Sequence, residues 1–309
     1  MIYKLSKEIA RFGYHQIKNI AKLFLGYPLT TPSLGSMTLD LDDVAIAKRQ
    51  LNDRENWFEP DTVKEYEDAF AMWNGSKYAF AFMGGRVALS ACIYALNLKP
   101  GDKVILPGYT CVVVPNAFRF AGIKTVYSDI ELDTYGLDAS LIEDKITSRT
   151  KAILLHHLYG IVCRDYEQII KIAKRHNLYV IEDCCPSTGA VFKHKKVGNF
   201  GDVAFYSSEQ SKVFTTIQGG MAVTNDGLLA GRLKEYYDQA GYPDAELIDK
   251  QLHSVMINYY SYKDSQRWWK GELIRLLYRN KIIISTTKEE EQEIMPSYYG
   301  KKMPSAIAA

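Results

Sequence analysis

KAILLHHLYGIVCRDYEQIIKIAKRHNLYVIED, residues 151 to 183, decides the fold. Two continuous apolar runs, in KAILLHH and LYVIED, enclose YEQIIKIAKRH, which reads as a helix. A strand, a helix and a second strand of this kind make a right-handed βαβ crossover with parallel strands buried on both faces. In such sheets ligands bind beyond the carboxyl ends of the strands. That rule places His156, His157 and Asp183 at the working edge of the sheet. Neighbouring residues on a strand point to opposite faces, so one of the two histidines is expected to approach a cleft while the other packs elsewhere.

The same alternation continues upstream. YAFAF (78–82) leads into a helix RVALSACIYAL (86–96), and KVILP (103–107) into a helix near VVPNAFRFA (113–121). TVYSD (125–129) is followed by a helix near SLIEDKI (140–146). Two further helices are expected near Asp40 to Leu51 and Pro60 to Trp73, the second opening on a proline suited to a helix start. Downstream, VAFY (203–206) and MAVT (221–224) flank a polar segment that holds Lys212 and Gly219-Gly220. The expected class is α/β, with a mostly parallel sheet sandwiched by helices.

With 309 residues, 47% of them hydrophobic and 24% charged, the chain can bury a large core. A formal net charge of +2 gives no footprint for nucleic acid. No apolar run is long enough for a membrane span and no secretory signal is evident, so a cytoplasmic location is expected. Cys92, Cys111, Cys163, Cys184 and Cys185 show no zinc spacing and read as buried reduced thiols, and the histidines form no metal-ligand pattern. Residues 1–25 alternate apolar and basic positions as an amphipathic helix. Either that helix or the Trp268-Trp269 segment could contact a membrane surface, with packing against the chain's own domain or a partner as the alternative.

Three chemical groups are expected at the sheet edge. Gly84-Gly85-Arg86 turns a strand into a helix whose N-terminus suits an anion such as phosphate, although such turns often serve only to connect. Asp183 ends a buried strand, where a carboxylate needs a partner or acts as a cap. Lys212 is either a solvated loop charge or an amine held in a cleft, with Ser207 five residues before it. An anion cradle, a carboxylate and a lysine in that order suit a phosphorylated pyridine aldehyde attached to the lysine as a Schiff base.

Several runs carry a resemblance to a known family: GDKVILPGYTCVVVPNAF, AGIKTVYSDIELDTYGLDASLIEDKITSRTKAILLHHLYG, LYVIEDCCPSTGA, KKVGNFGDVAFYSSEQSK and QGGMAVTND. Across about Pro32 to Gly241 the sequence resembles the pyridoxal-phosphate-dependent sugar aminotransferases of the DegT/DnrJ/EryC1/StrS type, which have the aspartate-aminotransferase fold (type I) with a seven-stranded sheet. The resemblance implies that Lys212 carries pyridoxal 5'-phosphate and shuttles protons, that Asp183 pairs with the pyridinium nitrogen, and that Ser207 with Gly85 and Arg86 binds the phosphate. It also implies an amino-acid donor, usually glutamate, a nucleotide-linked keto-sugar acceptor in polysaccharide or antibiotic-sugar synthesis, and a homodimer.

Departures from the family pattern are local. Gly84-Gly85-Arg86 replaces Ser-Gly-Thr, Cys111 stands where an aromatic ring stacks on the cofactor, and Pro186 replaces a Gln. Glu209-Gln210-Ser211 replaces a His-Pro-Thr type, and Gly300 stands where an Asn would contact the cofactor. The expected domains are 1–31, an amphipathic helix and linker; 32–241, the cofactor-binding large domain; and 242–309, an atypical helical insertion followed by the start of a truncated C-terminal domain that is largely missing. Two alternatives accompany the transaminase reading: another reaction on the same cofactor, such as dehydration or elimination, and a scaffold left by truncation and active-site drift. Dehydratase relatives carry histidine in place of the lysine, so Lys212 speaks against that version.

Overall fold

The computed structural model describes residues 38–262 and 293–309, with isolated positions between 13 and 21 and at 277. The basic N-terminal helix lies largely outside these residues, and the Trp268-Trp269 segment lies wholly outside them. The described strands are β1 (Tyr78–Phe82), β2 (Lys103–Pro107), β3 (Lys124–Ser128), β4 (Thr150–His156), β5 (Tyr179–Asp183), β6 (Val191–Phe192), β7 (Lys195–Lys196), β8 (Val203–Ser207) and β9 (Gly220–Thr224). Seven of them form one sheet in the order β1-β9-β8-β5-β4-β2-β3. From β8 to β3 every pairing is parallel, and β9 runs antiparallel between β1 and β8. The expected mostly parallel sheet is therefore present, with β9 as its one reversed strand.

Helices cover both faces. On one side lie α3 (Gly85–Ala95), α4 (Val113–Phe120) and α6 (Gly227–Gln239). On the other lie α1 (Leu41–Asn52), α2 (Pro60–Asn74), α5 (Tyr166–Arg175), α7 (Ala245–Tyr262) and α8 (Ser305–Ala308). Local chemistry sets several of their ends. Asp40 accepts from the N–H groups of Asp42 and Asp43 while Asp43 accepts from that of Asp40, a reciprocal cap that starts α1. Pro60 opens α2, and Gly75, with φ +80°, ends it in a left-handed turn.

The helix expected near 140–146 is instead a pair of 3₁₀ turns, Ala139–Leu141 and Glu143–Lys145. The Asp138 side chain accepts from the Ser140 N–H and hydroxyl, and Ala139 and Ile142 are the buried residues of this stretch. Local side-chain bonding and so small an apolar face favour the tighter, shorter turns.

Strand alternation splits the core. Ala152, Leu154, Ile181 and Phe205 pack under α3, while Ile153, Leu155 and Val180 pack against α5. Near β1 and β9, a third cluster joins Leu39 and Trp57 to Ile248, Leu252 and Val255 of α7 and to Met303 and Ile307. This core runs across residue 241. The segment at 301–303 lies along the edge of β1, where Met83 N–H donates to Lys301 O at 3.1 Å and Met303 N–H to Ala81 O at 3.1 Å.

Candidate active site

The carboxyl ends of β4, β5 and β8 lie side by side. His156 is in register with Asp183, and Asp183 with Phe205. Because side chains alternate along a strand, these three and Ser207 share the α3 face. Asp183 is buried; its Oδ1 accepts from the Cys185 N–H at 3.0 Å, and its Oδ2 lies 3.8 Å from His156 Nε2. Burial, the largest influence, holds the His156 pKa below its ordinary value despite the neighbouring Asp183 charge.

One residue away, on the opposite face, the pairing is closed. The Cys163 N–H donates to His157 Nδ1 at 3.1 Å, which puts the ring proton on Nε2, and Nε2 donates to Glu182 Oε2 at 3.1 Å. Glu182 also accepts from the N–H groups of Gly198, Phe200 and Gly201 at 2.5–2.8 Å. The split expected for the two histidines is what the structure contains.

Two glycines allow α3 to seat its N-terminus on the strand ends. A Cβ at Gly85 would stand 2.8 Å from Ser207 Cβ, and one at Gly220 would stand 2.3 Å from the Gly84 carbonyl carbon. Arg86, half-buried, extends its guanidinium over the Tyr298 ring at 5.6 Å. Lys212 sits half-buried in the loop between β8 and β9. The base of that loop is closed by Ser208 N–H to Gly219 O at 2.9 Å and Gln210 N–H to Ile217 O at 3.1 Å.

These groups surround a cavity of about 400 Å³. Gly85, Arg86, Cys111, Asp183, Ser207 and Lys212 all line it, as do Pro186 and Glu209. Gly300, with φ +70°, lies in the turn after Tyr298–Tyr299 and is outside the cavity wall. Tyr109 and Tyr159 went unread in the sequence. Both are exposed at the mouth, with hydroxyl oxygens 3.3 Å apart, and the hydrogen bond to Tyr159 raises the Tyr109 pKa. Their signal was position, since each lies just beyond the carboxyl end of a strand. Cys92, Cys163 and Cys184 are buried as expected, whereas Cys111 is exposed because it occupies the turn before α4 at the cavity rim.

Comparison with known proteins places this geometry among described ones. Residues 42–260 match the DegT/DnrJ/EryC1/StrS aminotransferase family. The GDP-perosamine synthase of Escherichia coli O157:H7 is 37% identical over 212 residues, 69% of this chain and 57% of that protein. The dTDP-3-amino-3,6-dideoxy-alpha-D-galactopyranose transaminase of Aneurinibacillus thermoaerophilus is 38% identical over 215 residues, 69% of this chain and 53% of that one. Among solved structures, ntda from Bacillus subtilis with bound cofactor PMP aligns with a TM-score of 0.60 at 28% identity, over 66% of this chain and 46% of that one. The chain spans about half the length of the curated relatives it matches.

Proposed function

The chain belongs to the DegT/DnrJ/EryC1/StrS aminotransferase family, and from that premise we propose that it holds pyridoxal 5'-phosphate in this cavity and transfers an amino group from an amino acid, glutamate, to a keto group of a nucleotide-linked sugar. The observation that carries the reading is the convergence of Lys212, Asp183, Ser207 and the start of α3 on one cavity. Similarity to nucleotide-sugar transaminases supports the acceptor class. A homodimer and a cytoplasmic setting belong to the same proposal.

Pyridoxal phosphate supplies an aldehyde that carries the amino group and a ring that takes up electrons when its nitrogen is protonated. The residues present fit it. The first N–H groups of a helix have no intrahelical acceptor, so the start of α3 favours a phosphate, with the Ser207 hydroxyl and the Arg86 guanidinium as neighbouring donors. The buried Asp183 carboxylate is bonded by the Cys185 backbone N–H and thiol, and its Oδ2 faces His156 Nε2 at 3.8 Å, beyond hydrogen-bond distance. In low dielectric such a group favours a cationic N–H partner. Burial holds the His156 pKa below its ordinary value, which disfavours a charged imidazole beside Asp183. Lys212 Nζ would provide the attachment point and, once freed by the incoming amine, would act as the base that removes the proton from the donor's α-carbon in the first half-reaction and as the acid that protonates the nitrogen-bearing sugar carbon in the second.

The test is chemical trapping. Purified chain incubated with pyridoxal phosphate and reduced with borohydride should carry a pyridoxyl group on the peptide containing Lys212. Lys212→Ala should carry none, and glutamate added before reduction should bleach the visible band. A colourless chain without an adduct at Lys212 would sink the cofactor reading. A band that glutamate leaves untouched would remove the transaminase step while keeping the cofactor.

A further inference from the structure

Among the described residues, helix α7 contributes no side chain to the cavity wall, and its inward face carries buried polar residues beside Ile248, Leu252 and Val255. Gln251, Ser254 and Asn258 recur at helical spacing and are at most 1% exposed. A buried amide is costly unless it is bonded, so the partners of Gln251 indicate what this face holds. Gln251 Nε2 donates to the carbonyls of Thr216 and Gln218, each at 2.6 Å.

Those two carbonyls flank Ile217, which has φ +67° and is 1% exposed. The left-handed region is a genuine outlier for a β-branched residue, and such residues persist only where their surroundings over-determine them. Ile217 is so surrounded. Its N–H donates to Thr215 Oγ1 at 2.8 Å, and its carbonyl accepts from Gln210 N–H at 3.1 Å. Thr216 N–H donates to Ser208 O at 3.0 Å, and the Thr216 hydroxyl lies 2.8 Å from that of Ser208. The strained residue therefore closes the loop that carries Lys212, and Gln251 grips it from both sides.

We propose that Gln251 is a positioning residue for Lys212: by holding the Thr216 and Gln218 carbonyls it keeps Ile217 left-handed and thereby fixes the 208–219 loop. The functional half of this inference rests on the proposed use of Lys212, whereas the mechanical half rests on the hydrogen bonds alone. Ile217 would otherwise relax toward negative φ, breaking the Gln210 contact and letting the lysine swing away from Asp183. An isosteric apolar side chain at 251 would preserve the packing of α7 against α1 and lose only the two donors. Glycine at 217 would remove the strain, since it adopts positive φ at no steric cost, and would make the clamp dispensable.

Hydrogen exchange on the cofactor-free protein reads the mechanical half. Gln251→Met should speed exchange at the Gln210 and Ile217 amides roughly tenfold or more, as expected for carbonyls that lose buried donors, while amides in β4 and β5 keep their protection. Adding Ile217→Gly to that variant should restore protection. Unchanged exchange in Gln251→Met, or no restoration in the double variant, overturns the proposal. Should Gln251→Met not fold, Ile217→Gly and the double variant are compared instead. Less than about twofold between them is expected, and a tenfold gap overturns the proposal. Borohydride trapping then reads the functional half: Gln251→Met should slow attachment at Lys212, and the double variant should recover it. If the wild-type chain itself gives no adduct, the cofactor reading fails while the exchange result stands.

Discussion

Two histidine–carboxylate pairs stand one residue apart at the ends of the same two strands and do opposite things. His157 and Glu182 face α5, where every strong acceptor is occupied: Glu182 takes one ring N–H and three backbone N–H groups. His156 and Asp183 face the cavity, where Nε2 and Oδ2 lie 3.8 Å apart and, among the described residues, the carboxylate's hydrogen bonds come from Cys185 alone, through its backbone N–H and its thiol. Both pairs are buried and both join an acid to a base. What separates them is satisfaction. A saturated carboxylate ties a loop to the sheet, while one with fewer donors keeps capacity for a partner from outside.

Substitutions can break or sharpen this contrast. The largest effect is expected for Asp183→Asn, which keeps the acceptor for Cys185 but removes the charge. Glutamate-dependent turnover should fall on the order of a thousandfold, while urea unfolding shifts by less than about 1 kcal/mol because no saturated network is lost. A variant that unfolds would make Asp183 a structural acid like its neighbour. Glu182→Ala should show the reverse, costing about 3 kcal/mol or more in urea unfolding, since three N–H groups lose their acceptor. A stable Glu182→Ala that no longer takes up cofactor would erase the distinction.

The smallest effect is a slope. Burial depresses the His156 pKa below its ordinary 6.5, so as pH falls below about 6.5 the unfolded chain takes up a proton that the folded one refuses. The stability contributed by neutral His156 is full above that pH and is lost toward the folded pKa. His156→Gln should therefore flatten the acid side of the stability curve, measured as unfolding midpoint against pH. An unchanged slope would mean that the ring is not held neutral by burial.

Much of this was legible in the chain. The apolar runs flanking YEQIIKIAKRH required a parallel pair, and the carboxyl-end rule then brought Asp183 and Ser207 to one edge. The 3₁₀ turns after Asp138 were not legible, because a side-chain bond to Ser140 competes with helix over a stretch with little apolar face. Nor was Ile217. No residue type announces positive φ less than isoleucine, and only the contacts around it show what holds it there.

Sequence alone determined the period of most segments, the parallel run of the central strands and which residue types meet at the sheet edge, because these follow from local sterics and from which side chains avoid water. Tertiary structure decided which of two adjacent acids is saturated, that Gly220 must be bare for Gly84 to approach, and that Gln251 on a distant helix grips the loop of Lys212. Those outcomes depend on hydrogen bonds and close contacts between residues far apart in the chain, and such distances exist only once the backbone has closed on itself.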